Sequence, residues 1–199
     1  MELVLASGNP GKLREIRALC QPLGITVRTA AELGFTDEVA EIGATFEDNA
    51  RLKAAAVCRA LGRPALADDS GLEVTALGGA PGVKSARYAG PSADDAANTA
   101  KLLAALTGVP PERRGAAFVC VMVCQRPDGA ELKAQGRLEG RIALEPAGHN
   151  GFGYDPVFEL PERGVTVAQL SAAEKNAISH RGQALARLAA GLGEFLSGG

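Results

Sequence analysis

The run from Ala116 to Gln125 constrains the fold more than any other part of the chain. Phe118, Val119, Val121, Met122 and Val123 leave it almost no polar face. A strand that is apolar on both sides has to be covered on both sides, so this one belongs at the centre of a sheet. Arg126-Pro127-Asp128-Gly129 follows directly and has the composition of a hairpin turn. That turn pairs the strand antiparallel with Ala130 to Leu138, making the sheet mixed.

Elsewhere strand and helix signals alternate. Leu3 to Ala6 reads as a short buried strand, Ser7 to Gly11 as a tight loop, and Leu13, Ile16, Leu19, Cys20 and Leu23 as an amphipathic helix stopped by Gly24. Ile25 to Arg28 is the next strand, and Thr36 to Ala44 a polar acidic loop. Thr45 with Asp48 forms a capping pair for an alanine-rich helix that ends at Gly62 and Pro64. Ala65 to Ala67 is a brief strand running out at Asp68-Asp69-Ser70-Gly71, with Leu72 to Thr75 as an extended continuation. Ser92 with Asp95 signals a helix through Leu106, and Ser171 with Glu174 a third capping box ahead of a last helix carrying Ala184, Leu185, Leu188 and Leu192. The expectation is one α/β domain over residues 1–199.

Composition narrows the functional classes. Hydrophobic residues are 46% and charged residues 22% of the 199, the balance of a globular protein. A formal net charge of -2 supplies no long-range attraction to nucleic acid or to acidic membranes, so any polyanionic partner should be small. Cys20, Cys58, Cys120 and Cys124 form no CxxC pair and have no histidine at metal spacing, so they read as buried small hydrophobes. Met1 to Ala6 runs straight into a strand pattern instead of a signal peptide, which points to reduced thiols in a cytoplasm.

Five places could carry chemistry. Ser7-Gly8-Asn9-Pro10-Gly11-Lys12 lies between a strand and a helix, so backbone N–H groups and the helix N-terminus can face an anion while Lys12 adds charge. It is not a Walker A loop, and a plain glycine turn is the alternative. Asp68 and Asp69 are consecutive strand residues and point to opposite sides, so one could hold a hard cation while the other accepts a proton from water. An Asx turn would look the same. Glu41, with Glu47 behind it, is the further candidate ligand for a magnesium ion.

Lys53 shares a helical stripe with Phe46, Ala50 and Val57, and either snorkels at the core edge or points into a cleft at a phosphate or carboxylate. Phe152-Gly153-Tyr154-Asp155-Pro156 offers an aromatic platform on which a base could stack, or else a buried corner with tyrosine as packing. Lys175, Ser179, His180 and Arg181 gather donors that would match a purine keto oxygen, although a basic helix start with a satisfied histidine fits His180 equally. Two rival readings are a non-hydrolysing nucleotide-binding module and a serine hydrolase using Ser70 with His180 or His149. Adjacent carboxylates beside polyphosphate argue against the first, and the lack of a G-x-S-x-G elbow against the second.

Taken together these segments resemble the inosine/xanthosine triphosphate pyrophosphatase family, the RdgB-like enzymes, from Leu3 to about Ala186. The motifs are Ser7 to Lys12, Glu41 with Thr45, Phe46 and Asn49, Ala67 to Leu72, Gly78 to Gly82 with Ser85 to Tyr88, Gly151 to Pro156, and Ser179 to Gly182. The resemblance implies an elongated fold of two lobes around a long mixed sheet, an active site in the cleft between them, Mg²⁺ and a homodimer. It also implies hydrolysis of dITP, ITP and XTP to monophosphate and pyrophosphate, which cleanses the nucleotide pool.

Position by position, Ser7 to Lys12 would bind phosphates, and Asp69 would activate water and hold the metal with Glu41, Asp68 lying close by. Lys53 would neutralise the triphosphate and Ser70 would touch substrate. Phe152, Gly153, Tyr154 and Asp155 would enclose the base, and Lys175, His180 and Arg181 would reach its edge. Ser7 stands where the family often has threonine, and His149-Asn150 where smaller residues often precede the glycine.

Overall fold

The computed structural model describes residues 2–197. Seven strands form one mixed sheet in the order β2-β1-β3-β4-β5-β6-β7. They are β1 (Glu2–Leu5), β2 (Thr26–Thr29), β3 (Ala65–Val74), β4 (Gly115–Gln125), β5 (Glu131–Ile142), β6 (Phe158–Leu160) and β7 (Val165–Thr166). The helices are α1 (Pro10–Cys20), α2 (Phe46–Leu61), α3 (Asp95–Ala105), α4 (Ala172–Ile178) and α5 (His180–Ser197). β4, the apolar run, lies at the middle of the order as its two-sided burial requires.

The chain divides into two compact units, of which the first is Met1–Asp69, Cys120–Gly136 and His180–Gly199. In it β1 runs parallel to β2, with Leu3 opposite Val27, and parallel to β3, with Leu5 opposite Leu66. Helix α1 presents Ile16 and Cys20, and α5 presents Ala184, Leu185, Leu188 and Leu192, to a core that includes Leu3, Leu5, Leu66 and Met122. Each of those leucines, taken out of water completely, contributes roughly 1.5–3 kcal/mol.

The second unit is Ser70–Val119 and Arg137–Ser179. β5 pairs antiparallel with β6, and β6 with β7. Its core gathers Leu72, Leu102, Phe118, Tyr154 and Phe158, with the Phe118 and Phe158 rings stacked at 4.3 Å. Gly140 is obligatory on β5, because a Cβ there would lie 2.5 Å from the Glu159 carbonyl and from the Phe158 ring.

The capping boxes at Thr45 with Asp48 and Ser171 with Glu174 form as the sequence expects. Three local expectations are corrected. Helix α3 is capped by Asp94, whose side chain accepts from the Ala97 N–H, and not by Ser92. Instead of ending near Ala67, the third strand continues to Val74, so the aspartate pair lies inside it. The turn-like composition of Asp-Asp-Ser-Gly is overridden because β3 is hydrogen-bonded into the sheet between β1 and β4. Finally, the extended backbone of Ser179, at ψ 151°, separates a short helix carrying Lys175 from the long one that begins at His180.

Candidate active site

The loop after β1 is organised by Asn9. Its side-chain oxygen accepts from the N–H groups of Gly11 at 2.9 Å and Lys12 at 3.1 Å, and its own N–H donates to Ser7 Oγ at 3.3 Å. Pro10 has no N–H and takes the first helical position. The first-turn amides of α1, read from the sequence as open to an anion, are therefore capped from within the loop. What remains for an anion is the positive end of the helix, the Lys12 ammonium, and room at Gly8, where an added Cβ would meet nothing within 4 Å.

Asp68 and Asp69 point apart as consecutive strand residues must. Asp68 is fully buried, with its carboxylate 3.1 Å from Lys12 Nζ and 3.4 Å from the Arg181 guanidinium. Arg181 is itself buried in the first turn of α5 and also pairs with Glu15 of α1. Burial alone would weaken its grip on the proton, but the Asp68 and Glu15 carboxylates raise its pKa above the ordinary arginine value. Gly136 of β5 admits this close approach of α5, since a Cβ there would collide with the His180 carbonyl and crowd the Ala184 nitrogen.

On the other side, Asp69 Oδ1 lies 2.9 Å from Lys53 Nζ, and the same ammonium lies 2.8 Å from Glu41 Oε1. Lys53 thus points at carboxylates, one of the two outcomes its stripe allowed. Asp69 Oδ2 accepts from Asn49 Nδ2 at 3.3 Å. Burial pushes the Asp69 carboxyl above the usual carboxylate range, Glu41 adding to the effect, against the downward pull of Lys53 and Lys12. Burial lowers the Lys53 ammonium, yet Asp69, Asp68 and Glu41 together carry it above its ordinary value.

Among these groups the carboxylates of Glu15, Glu41, Asp68 and Asp69 outnumber the cations Lys12, Lys53 and Arg181 by one. Glu41 and Asp69 already converge on one positive charge, so the pair suits a hard cation that keeps most of its waters. No cluster of three or more His, Cys, Asp or Glu able to hold a metal occurs among the described residues. Two carboxylates plus substrate oxygens nevertheless suffice for magnesium.

The second unit holds the aromatic loop. Asp155, buried, accepts from the Phe152 N–H at 2.9 Å and from Lys175 Nζ at 2.5 Å. The same ammonium stands 4.7 Å from the Phe152 ring centroid. Gly153 N–H donates to Asp95 at 2.7 Å, and the left-handed Gly151 lies where a Cβ would strike the Asp155 carboxylate. Tyr154 is buried in the core, and its hydroxyl donates to the Ser85 carbonyl at 2.8 Å. Of the two rings of this pentapeptide, Phe152 is half-buried and Tyr154 is packing. Ser70 is half-buried on β3, next to Asp69.

The structure therefore brings together Lys12, Asp68 and Arg181, then Glu41, Lys53 and Asp69, then Phe152, Asp155 and Lys175. Lys175 and Arg181, read from the sequence as one donor cluster, make these contacts with different carboxylates. Glu15, Asp95 and the bonding of Asn49 were not foreseen. For Glu15 no local signal exists, since a glutamate on an amphipathic helix reads as solvent-facing. Asn49 had one: it precedes Lys53 by four residues and shares its inward stripe.

Fold and site together describe an α/β protein whose acidic strand, flanked by lysines, suits a polyphosphate accompanied by a cation. Residues 3–191 match the Ham1 family. The chain is 47% identical over 187 residues to a dITP/XTP pyrophosphatase of Bacillus subtilis strain 168, covering 94% of each chain. It is 53% identical over 186 residues to the enzyme of that name from Yersinia pseudotuberculosis, covering 92% of this chain and 94% of that one. Among solved structures it superposes on a HAM1 protein from Coxiella burnetii with a TM-score of 0.88 at 47% identity, covering 98% and 99% of the two chains. A nucleoside-triphosphatase or dITP/XTP pyrophosphatase from Mycobacterium abscessus gives 0.77 at 48% identity, covering 94% and 97%. The chain belongs to the Ham1 family.

Proposed function

We propose that the chain hydrolyses the deaminated purine nucleotides dITP, ITP and XTP to nucleoside monophosphate and pyrophosphate, a reading supported by curated relatives named dITP/XTP pyrophosphatase. The observation that carries the reading is the Lys53 ammonium held between Glu41 and Asp69 at 2.8 and 2.9 Å, on a strand that presents Asp68 to Lys12. That arrangement supplies a proton acceptor, a candidate cation site and, in Lys12 and Lys53, two positive charges for a triphosphate.

On this reading Asp69 accepts the proton of a water whose oxygen attacks the α-phosphorus. The bond from that phosphorus to the α–β bridging oxygen breaks, and its electron pair leaves with pyrophosphate. Lys12 and Lys53 offset the charge of the leaving group, Ser7 to Lys12 bind the phosphates, and Ser70 touches the substrate. Phe152 stacks the base, while Gly153, Tyr154 and Asp155 shape its surroundings. Lys175, His180 and Arg181 keep their assignment to donors at its edge, Arg181 from its position against Asp68 and Glu15. Glu41 and Asp69 would hold magnesium, which when bound supplies Lewis-acid charge to the phosphates.

The reading extends to a homodimer in the cytoplasm, acting on free nucleotides without nucleic-acid or membrane partners. No helix among the described residues is long and apolar enough to cross a membrane. Since β3, β4 and β5 each contribute residues to both units, we take the chain as one domain. The test measures monophosphate and pyrophosphate release from ITP, dITP, XTP, GTP, ATP and dTTP, with and without Mg²⁺. Magnesium-dependent release confined to the first three is expected, and equal turnover of ATP or release of orthophosphate would overturn the proposal.

A further inference from the structure

Asn49 lies in the first turns of α2, fully buried, four residues before Lys53. Its side-chain oxygen accepts from the Gly43 N–H at 2.8 Å, and its Nδ2 donates to Asp69 Oδ2 at 3.3 Å. The amide orientation follows from its partners, because a backbone N–H demands an oxygen and a carboxylate demands a donor. Gly43 cannot carry a side chain: a Cβ there would lie 2.5 Å from Asp48 Cβ and 2.7 Å from Asn49 Oδ1. Gly43 is two residues beyond Glu41, and Glu41 returns to Asp69 through Lys53.

These contacts close a ring. It runs from Glu41 along the chain to Gly43, across Asn49 to one oxygen of Asp69, and from the other oxygen through Lys53 back to Glu41. One oxygen of Asp69 faces a neutral donor and the other an ammonium, which defines the rotation of the carboxylate about its Cβ–Cγ bond. The backbone of the acidic loop is pinned by the same amide, so a single side chain sets the relative placement of both carboxylates.

We infer that Asn49 is a positioning residue that orients the Asp69 carboxylate and clips the Glu41 loop beside it, an inference that rests on the pyrophosphatase reading above. Aspartate at this position keeps the size and the acceptor for Gly43, loses the donor to Asp69 and sets a second carboxylate against it. Leucine loses both.

The test compares wild type, Asn49→Asp and Asn49→Leu by thermal unfolding, by steady-state dITP hydrolysis, and by hydrogen exchange of the Gly43 amide in metal-free protein. Slow exchange of Gly43 is expected in wild type and in Asn49→Asp, and at least tenfold faster exchange in Asn49→Leu. Asn49→Asp, folded, should lose at least tenfold in kcat while KM for dITP stays within about threefold. A substitution harmful only to folding would lower the melting temperature without that division between kcat and KM.

Wild-type kcat in folded Asn49→Asp overturns the inference. So does fast Gly43 exchange in the wild-type protein, which requires no variant to fold. Should wild type release no pyrophosphate from dITP, the proposed function fails, while the Gly43 exchange still decides whether the clip exists.

Discussion

Asp68 and Asp69 are adjacent in the chain, yet Asp68 meets Lys12 at 3.1 Å and Arg181 at 3.4 Å while Asp69 meets Lys53 at 2.9 Å. The alternation of the strand separates the aspartate that meets Lys12 and Arg181 from the one that meets Lys53, to which the proposed mechanism gives the proton of water. The two asparagine substitutions should therefore fail in different ways. Asp69→Asn should fold normally and lose about 10²–10⁴ in dITP turnover, the range for a missing general base. Asp68→Asn removes the Lys12 partner and leaves Arg181 with Glu15 alone, and should cost stability, up to about 3–5 kcal/mol, read from urea unfolding. Near wild-type turnover in Asp69→Asn would remove it as the base.

Two glycines test packing against ligand approach. Gly136→Ala places a Cβ against the His180 carbonyl and should destabilise by about 1–3 kcal/mol, since the start of α5 has to shift. Gly8→Ala meets nothing within 4 Å and should change stability by less than about 0.5 kcal/mol. If the loop approaches phosphate closely, Gly8→Ala should still raise KM for dITP. A melting temperature that falls in Gly8→Ala and holds in Gly136→Ala would contradict both assignments.

The cross-strand pair of Arg141 and Glu159 joins β5 to β6 with bonds of 2.9 and 2.6 Å. The hydrogen bonds from Arg141 hold the Glu159 carboxyl below its ordinary range. A group whose folded pKa is depressed contributes stability above its unfolded pKa and loses it as pH falls through the folded value. Glu159→Gln should thus be less stable than wild type at pH 7 by about 0.2–1 kcal/mol, the pair being partly exposed. The difference should begin to close as the pH drops below the ordinary glutamate value of about 4.3 and be gone below the depressed folded value. Urea midpoints measured against pH at low salt report it, and a gap independent of pH would rule the pair out as its source.

Burial raises the Cys20 thiol to about 11 and the Cys124 thiol to about 12, the neighbouring Cys58 adding to the latter. Since the thiolate is the reactive form, native protein at pH 8 should leave both unmodified by iodoacetamide, whereas denatured protein should react at all four cysteines. Peptide mass spectrometry distinguishes the cases, and rapid native labelling of Cys124 would show that its core is open.

Much of the frame was legible from local residue order. The apolar run at β4, the hairpin signal after it, and the Thr45 and Ser171 caps each depend on residues a few positions apart. Opposite placement of Asp68 and Asp69 and the inward stripe of Lys53 follow from strand and helix periodicity alone. Resemblance to known motifs supplied the family, and residues 3–191 bear that out.

What only the tertiary structure decided is which charges meet. Arg181 reaches Glu15 across 166 residues and Asp68 across 113, and Lys175 reaches Asp155 across 20. Periodicity can say that a charged side chain faces inward, but its partner depends on what the folded sheet and helices bring beside it once water is excluded. Sheet pairing likewise carries β3 through its turn-like Asp-Asp-Ser-Gly, because a strand hydrogen-bonded between β1 and β4 satisfies its backbone groups only if it stays extended.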